Sequence, residues 1–440
     1  MAVSRKKPLD PFAALLAYWP AELADGAAIE VGLSGGLDSM VLLDLLWRCR
    51  EQRHFHLCAV HVHHGLSPHA DEWVAHCRAA CQARDIPLRV ERVSVRPEGG
   101  ESLEAVAREA RYQVYRQSTA AAVALAHHRD DQAETVLLQL LRGGGPHALA
   151  AMPALRRLDA RWLWRPLLSW SRRELAEYAA ARALTWVDDE SNADTRWRRN
   201  LLRHDILPLI ETAVPDYRQH LQRSAQMMAQ AAQILDEVAD QDLDACLQQS
   251  RLLLSRLGVL SPPRQRQLLA RWLKRLAAGE VGPDALEDFR RQLFAAGPDR
   301  NPRLSAATVD LFRYRDLVWA VPRQTAPLPA LQPLGEVMAA GDMAFAGGRL
   351  TLVPHEQGIA RALLAAGATL RPRDGGERLR LTVGRKPVKT LLQEAGIPPV
   401  LRQRWPLLYL ADGRLAAVPS VAVAADCRGP DGVWPLWLPQ

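Results

Sequence analysis

The sequence lacks three features that would each assign it to a particular class of protein. Its six cysteines form no CxxC pair and no Cys/His spacing typical of zinc, which argues against a zinc module or a dithiol redox site. It contains no signal peptide and no run of about 18 apolar residues that could span a membrane. These absences predict a cytosolic protein with free thiols.

Lysine is also scarce, because only five of the 56 basic residues are lysines and arginine supplies the rest. The formal net charge of +7 and the pI of about 9.3 favour an anionic partner such as nucleic acid. Arginine forms bidentate contacts with phosphate and stacks on bases, so the bias suits RNA. Genome composition could produce the same bias, so the bias by itself does not identify the partner.

The 440 residues exceed one usual domain, and regions of different pattern follow one another. Over 27–186, short apolar runs alternate with helical patterns, which predicts an α/β domain with a doubly wound parallel sheet. A mostly α region follows, and a linker over 324–333 leads into a small α+β region. We therefore expect domains over 1–210, 211–323 and 334–440.

A serine- and glycine-rich loop lies between a predicted strand and a predicted helix. Adjacent glycines permit positive φ and close approach of backbone N–H groups to an anion, so the loop predicts a phosphate site. Asp38 would repel that phosphate unless a divalent cation such as Mg²⁺ lay between them. The alternative is an ordinary strand-to-helix turn. The loop consists of Ser34, Gly35, Gly36, Leu37, Asp38 and Ser39.

Two further segments carry polar groups at predicted strand ends. In the segment 127–135, Asp131 and Glu134 share one face of a helix, and such paired carboxylates favour a cation. An acidic first turn also stabilises any helix through the helix dipole, so that alternative stays open. His61 and His63 end another strand on one side, where a nucleotide contact or a surface cap is favoured over zinc.

Two arginine-bearing helices complete the set of candidate residues. Arg108 and Arg111 share one face of a helix, where either phosphate contact or pairing with neighbouring glutamates would explain them. In the segment 186–204, an acidic turn precedes a basic helix with an aromatic residue. Phosphate contact with base stacking requires such a pairing, although the arginines would also neutralise the acidic turn.

Taken together, these segments resemble the tRNA(Ile)-lysidine synthase family, and they occur in that family's order over nearly the whole chain. The loop over 34–39 is similar to the pyrophosphate loop of the wider PP-loop ATP pyrophosphatases. The segments 127–135 and 188–208 narrow the resemblance to this family, and 370–408 is similar to its last domain. The sequence departs from the pattern at His63, where the family would carry asparagine, which leaves the role of His63 open.

The resemblance implies a two-step reaction on the wobble cytidine of the isoleucine tRNA with a CAU anticodon. ATP with Mg²⁺ would adenylate the cytidine, and the side-chain amine of L-lysine would displace AMP, changing codon specificity from AUG to AUA. The implied catalytic residues are Asp38, Arg108, Asp131 and Glu134, with Asp38 on the metal and His61 joining the loop at ATP. The implied tRNA contacts are Arg199, Arg203, Arg371, Arg373, Lys389, Arg402 and Arg404. A homodimer is left open.

Other functions are less well supported by the sequence. A tRNA thiolase of the same superfamily would need a cysteine pair or another sulfur relay, and no CxxC pair is present. An amidotransferase-type synthetase would carry or recruit a glutaminase, and no such nucleophilic cysteine context occurs. A non-catalytic tRNA-binding protein is the third alternative. Decay of an active site would be expected to erase its acidic residues, yet Asp38, Asp131 and Glu134 are all retained.

Overall fold

The structure of the protein is a computed structural model, and it describes residues 10–97, 102–188, 190, 198–297, 300–323, 331–334 and 342–439. The chain forms two compact units, 1–234 and 235–440. Residues 324–330 of the predicted linker and 191–197 of the predicted acidic and basic segment lie outside the described residues. The finer division into three domains stays a prediction.

The first unit alternates strands and helices along the chain. Its strands are β1 (Ala28–Gly32), β2 (His56–His63), β3 (Leu88–Arg92), β4 (Ala122–Ala124), β5 (Leu155–Leu158) and β6 (Arg161–Trp164). Its helices are α1 (Pro11–Ala17), α2 (Leu37–Cys49), α3 (Ala70–Gln82), α4 (Leu103–Arg116), α5 (Arg129–Leu141), α6 (Pro146–Leu149), α7 (Arg172–Ala181), α8 (Arg198–Leu201) and α9 (Leu207–Ala213). A π-helical turn over Leu202–Ile206 joins α8 to α9, and the long helix α10 (Tyr217–Cys246) follows.

These strands form one sheet in the order β3-β2-β1-β4-β6-β5. All neighbours pair in parallel except β5, which runs antiparallel to β6 at the edge. The doubly wound α/β prediction is confirmed, and the edge strand β5 adds to it. The carboxyl ends of β1, β4 and β6 therefore meet at one edge of the sheet, where ligands of such folds bind.

The sheet is apolar in its centre because crossover helices cover it. Ile29 and Val31 of β1 are fully buried, as are Leu42 and Leu45 of α2. A strand covered on both faces reads as a continuous apolar run, which is why the sequence predicted β1 and β2 well. The buried helix α2 fixes the position of the loop that precedes it.

The second unit mixes helices with small sheets. Its helices are α11 (Leu254–Val259), α12 (Pro262–Arg275), α13 (Pro283–Ala295), α14 (Arg361–Ala365), α15 (Val388–Glu394) and α16 (Pro399–Arg402). Its strands are β7 (Leu247–Gln248), β8 (Arg251–Leu253), β9 (Arg303–Ser305), β10 (Val309–Tyr314), β11 (Leu317–Pro322), β12 (Gln332–Pro333), β13 (Asp342–Phe345), β14 (Gly348–Ile359), β15 (Ala368–Arg371), β16 (Arg378–Arg380), β17 (Arg385–Pro387), β18 (Leu407–Leu410), β19 (Leu415–Val418), β20 (Ala422–Val423) and β21 (Val433–Pro439).

The sheets of this unit are antiparallel and small. The antiparallel hairpin of β10 and β11 lies inside a sheet of order β7-β8-β11-β10-β9, beside the helices α11 to α13. A second sheet has the order β12-β15-β18-β19-β20, and a third has the order β13-β14-β21. Trp405 and Trp437 meet edge to face, with ring centroids 4.6 Å apart, in the apolar core. Among the described residues, no helix is long and apolar enough to cross a membrane.

Candidate active site

The loop after β1 is held in a conformation that glycine requires. Gly35 has φ +89°, and a Cβ at this position would lie 3.1 Å from both the Cys77 sulfur and a methyl group of Val187. The N–H group of Val187 donates to the Gly35 carbonyl at 3.0 Å. Backbone strain and crowding both disfavour larger residues here, and the positive φ that the adjacent glycines permit is found at Gly35.

Two serine hydroxyls close the same loop. The N–H group of Gly35 donates to Ser39 Oγ at 3.1 Å, and that hydroxyl donates to the Gly36 carbonyl at 2.9 Å. The N–H group of Gly36 donates to Ser34 Oγ at 3.3 Å. The hydroxyls thus accept from N–H groups to which a phosphate oxygen could also bind. The loop stands at the start of α2, where the helix dipole favours an anion.

Asp38 lies in the first turn of α2, beside this loop. Its Oδ1 atom is shielded from solvent and has no hydrogen-bond partner, while its Oδ2 atom lies 3.5 Å from Nε2 of His128. A shielded carboxylate oxygen of this kind can bind a cation. Across the described ranges of the chain, no cluster of three or more His, Cys, Asp or Glu side chains is arranged to hold a metal. The single carboxylate of Asp38 fits an Mg²⁺ ion that arrives bound to a nucleotide. Mg²⁺ commonly takes one or two carboxylates together with phosphate oxygens and water.

His128 connects the loop to helix α5. Its N–H group donates to Oδ2 of Asp131 at 3.0 Å, while the N–H group of Asp131 donates to Nδ1 of His128 at 3.4 Å, which forms a capping box. Its Nε2 atom lies 3.5 Å from carboxylate oxygens of both Asp131 and Asp38. Burial alone would lower the pKa of His128, but these two carboxylates outweigh burial and raise it. The imidazole therefore bridges an acid of the loop and an acid of the helix.

Asp131 and Glu134 form a buried ionic cluster with Arg199 and Arg203. The Nε atoms of Arg199 and Arg203 each lie 2.6 Å from a different oxygen of Glu134. Their Nη2 atoms lie 2.9 Å and 3.3 Å from Oδ1 of Asp131. Burial would raise the pKa of Asp131, but His128 and Arg199 outweigh it and hold that pKa at about 2. Two carboxylates and two guanidinium groups thus neutralise each other inside the site.

This cluster combines residues to which the sequence assigned separate roles. Asp131 and Glu134 were expected to serve catalysis, whereas Arg199 and Arg203 were expected to contact tRNA. The two arginines pair with α5, some 65 to 72 residues away along the chain. A tRNA contact by these arginines stays a prediction. No sequence pattern indicated the pairing, because it depends on how the segment after α7 returns to the sheet edge.

The remaining candidates of the first unit occupy distinct positions. His61 is buried beneath the loop, where its Nδ1 atom lies 2.9 Å from the Leu33 carbonyl, and burial lowers its pKa. Nε2 of His63 lies 3.4 Å from Oδ1 of Asp71. Arg108 is exposed on α4 and its Nη2 atom donates to the hydroxyl of Tyr112 at 3.2 Å. His61 therefore supports the loop from behind, while Arg108 is exposed to solvent.

The candidate tRNA contacts of the second unit differ in their surroundings. Arg371 lies over the ring of Tyr409, and Arg373 forms an ion pair with Glu377 at 3.3 Å. Lys389 is exposed on α15. A role of these residues in tRNA binding stays a prediction.

Arg402 ends helix α16, and Arg404 lies two residues beyond it. Arg402 donates to the Ile397 carbonyl at 2.7 Å and to the Tyr314 hydroxyl at 2.9 Å. Arg404 lines a cavity of about 370 Å³ together with Arg303, Phe312 and other residues of this unit. The tRNA contact predicted for both arginines is untested, and the contacts of Arg402 add a structural role.

Comparison with known proteins gives a consistent assignment along the chain. Models of three families match it: a PP-loop domain over residues 12–210, a TilS substrate binding domain over 252–319 and a TilS substrate C-terminal domain over 368–436. A tRNA(Ile)-lysidine synthase of Chromobacterium violaceum is 53% identical over 97% of this chain and 98% of its own length. One of Nitrosomonas europaea is 39% identical over 96% and 94%.

Two solved structures are similar to parts of the chain, at low scores. The U34-tRNA thiolase NcsA from Methanococcus maripaludis, solved with its [4Fe-4S] cluster, has a TM-score of 0.42 and 17% identity, covering 50% of this chain and 78% of its own. A crystal structure of a TilS C-terminal domain has a TM-score of 0.19 and 25% identity, covering 26% of this chain and 94% of its own.

Proposed function

The chain belongs to the tRNA(Ile)-lysidine synthase family, and on that premise we propose how its first unit modifies tRNA with ATP. The reaction joins the side-chain nitrogen of L-lysine to the wobble cytidine of the isoleucine tRNA with a CAU anticodon. A carbon–nitrogen bond forms at C2 of the base, while ATP is converted to AMP and pyrophosphate. Free thiols and soluble substrates suit a cytosolic location for this chemistry.

The first step activates the cytidine. The 2-carbonyl oxygen of the base attacks the α-phosphorus of ATP, which releases pyrophosphate and leaves an adenylated base. The N–H groups of Gly35 and Gly36, with the hydroxyls of Ser34 and Ser39, would hold the departing pyrophosphate. Asp38 would bind Mg²⁺ through its shielded oxygen. When bound, that ion neutralises negative charge on the phosphates.

The second step requires a bound lysine. Its side-chain ammonium group first loses a proton to solvent, the neutral amine then attacks C2 of the adenylated base, and AMP leaves with the oxygen. Free lysine carries two ammonium groups and one carboxylate, which complement the carboxylates of Asp131 and Glu134 and the guanidinium groups of Arg199 and Arg203. With a pKa of about 2, Asp131 is a weak base, so its role is to hold an ammonium group rather than to deprotonate it.

One observation carries this proposal: Nε2 of His128 lies 3.5 Å from Oδ2 of Asp38 and 3.5 Å from Oδ2 of Asp131. The same imidazole therefore contacts an acid of the phosphate-binding loop and an acid of the buried ionic cluster. A nucleotide on the loop and a lysine at the cluster would consequently lie next to each other. This adjacency is what a two-step transfer between ATP, a base and an amine requires.

The proposal is tested by incorporating labelled lysine into an isoleucine tRNA transcript with ATP and Mg²⁺. We expect ATP-dependent labelling and a mass increase at the wobble nucleoside. Asp38→Ala should abolish labelling while leaving tRNA binding intact, and Asp38→Asn should behave similarly because it keeps the shape but loses the charge. Labelled sulfur supplied in a parallel reaction tests for thiolation, and its transfer without that of lysine would overturn the proposal.

A further inference from the structure

Three arginines of the first unit surround one buried phenol. The hydroxyl of Tyr112, on α4, accepts from Nη2 of Arg108 at 3.2 Å and from Nη2 of Arg165 at 3.4 Å. The guanidinium carbon of Arg156, on β5, lies 5.6 Å from the centre of the same ring. Tyr112 and Arg165 are 8% and 2% exposed, so much of this group lies inside the protein.

These positive charges are not paired with carboxylates. Within the ranges that the structure describes, none of Arg108, Arg156 and Arg165 forms an ion pair with a carboxylate, in contrast to Arg199 and Arg203. The other partners of buried Arg165 are the Pro153 carbonyl at 2.8 Å and a ring nitrogen of His127 at 3.3 Å, both neutral. A buried guanidinium stays charged, and leaving it without a counter-charge is costly.

The cluster occupies the edge of the sheet that carries the phosphate-binding loop. Arg165 directly follows β6 and His127 lies shortly after β4, while the loop follows β1, two strands away in the sheet. Two strand spacings correspond to about 10 Å. Arg108 is exposed and Arg156 is half-buried, so a ligand can reach the cluster from solvent.

The pKa of the Tyr112 phenol agrees with an excess of positive charge at this point. Burial alone would raise the pKa of the phenol, but Arg108 and Arg165 outweigh burial and lower it. The hydroxyl already accepts from guanidinium groups, so its own proton is free to be donated to an anion. A phenol donor and planar guanidinium donors form a suitable set for phosphate oxygens.

We propose that Arg108, Arg156 and Arg165, gathered around Tyr112, bind one phosphate group of the substrates. This inference rests on the proposed function, which supplies two sources of that phosphate. One is the α-phosphate of the nucleotide on the loop, and the other is an RNA phosphodiester beside the target cytidine. Both have the same chemistry, so the experiment must separate them.

The test compares Arg156→Ala with Arg157→Ala, a matched control on the same strand. Arg157 is exposed and its guanidinium lies over the ring of Trp162, outside the cluster. For each variant, tRNA affinity is measured against salt concentration, and ATP affinity is measured without tRNA. Tyr112→Phe provides a second variant that keeps the ring and removes only the hydroxyl, in case Arg156→Ala does not fold.

If the site binds an RNA phosphodiester, Arg156→Ala should weaken tRNA binding roughly tenfold, because a charge-assisted contact is lost. The slope of log Kd against log salt should then fall by about 1, with ATP affinity unchanged. If the site binds the α-phosphate of ATP, Arg156→Ala should lower the affinity for ATP roughly tenfold and leave the salt dependence of tRNA binding unchanged. If Arg156→Ala and Tyr112→Phe both match Arg157→Ala in every measurement, the phosphate site is overturned.

These binding measurements do not depend on turnover. If wild-type protein binds tRNA and ATP but incorporates no lysine, the proposed reaction fails, whereas an altered salt slope or ATP affinity in Arg156→Ala would still support the phosphate site. Conversely, lysine incorporation that proceeds alongside unchanged binding in Arg156→Ala and Tyr112→Phe would overturn the phosphate site alone. The two proposals can therefore fail separately.

Discussion

The guanidinium of Arg199 donates from Nε to Oε2 of Glu134 at 2.6 Å, and Glu134 is fully buried. The contact joins helix α8 to helix α5 across 65 residues of sequence. A buried carboxylate next to a guanidinium is stable only while its charge is balanced, so this pair resists the removal of either partner. Any ligand that enters the cluster must replace these contacts or share them.

The first prediction concerns the charge of Glu134. Glu134→Gln should raise the KM for lysine more than the KM for ATP or tRNA, because one carboxylate for an ammonium group is lost. It should also destabilise the protein by about 3–5 kcal/mol, since Arg199 and Arg203 would keep only one carboxylate between them. Steady-state kinetics with each substrate varied in turn and a thermal melt measure both effects.

A control for this variant is Glu211→Gln, which removes one of the two carboxylates that pair with Arg218; the Glu211 oxygen lies 2.6 Å from Nη1 of Arg218, outside the cluster. It should leave the KM for lysine unchanged and have only a small effect on stability, because Glu211 is about half exposed. An unchanged KM for lysine in Glu134→Gln would rule out the cluster as the lysine site.

A second prediction separates the two glycines of the loop. Gly35→Ala should lower the thermal midpoint, because left-handed backbone costs a non-glycine residue about 1–2 kcal/mol and Cys77 and Val187 crowd the added carbon. Gly36 has φ −73° and its nearest neighbouring atom would lie 3.5 Å from a Cβ, so Gly36→Ala should keep the midpoint. Differential scanning fluorimetry of both variants without nucleotide checks this, and equal midpoints would contradict it.

A third prediction concerns Arg402 and Arg404. Replacing both with Ala should weaken tRNA binding and flatten its salt dependence, because two positive charges are removed from the second unit. Arg402 also donates to the hydroxyl of Tyr314, so loss of the pair should lower the thermal midpoint.

Tyr314→Phe distinguishes the electrostatic effect of this double variant from its structural effect. It removes the hydrogen bond to Arg402 and keeps both positive charges. If it weakens tRNA binding as much as the double variant does, the arginines act through the fold of the second unit rather than by contact with RNA. Salt titrations of tRNA affinity for the two proteins measure the difference.

The fourth prediction is a dependence of stability on pH. Burial, aided by the positive charges of Arg165 and Arg199, holds the pKa of His127 at about 3, below its ordinary value of 6.5. As the pH falls below 6.5, the unfolded chain binds a proton that the folded protein does not, so the free energy of unfolding decreases. This histidine should contribute at most about 1.4 kcal/mol per pH unit to the slope of the free energy of unfolding against pH.

His127→Asn should reduce the loss of stability between about pH 7 and about pH 5, because asparagine does not titrate there and its carbonyl can still accept from Arg165. Urea unfolding followed by tryptophan fluorescence at both pH values measures the slope. His54→Asn, at an exposed side chain, is the control. Equal slopes for wild type and His127→Asn would exclude His127 as a source of the pH dependence.

The strands and helices of the first unit were accessible from the sequence because their apolar patterns have a regular period. For example, β2 (His56–His63) and α7 (Arg172–Ala181) both lie within 27–186, where the sequence predicted alternating strands and helices. The two-residue and three-residue strands of the second unit were not expected. A strand of that length has no period to detect, and only pairing with its neighbours defines it.

By itself, the sequence determined the loop over 34–39, the buried sheet behind it and the acidic start of α5, because each depends on residues adjacent in the chain. Only the tertiary structure decided that Arg199 and Arg203 neutralise Asp131 and Glu134, and that Arg108, Arg156 and Arg165 meet at Tyr112. Most of these contacts join residues from separate helices and strands. They carry no periodic signal, because only the packing of the core brings such charged and polar side chains within reach of one another.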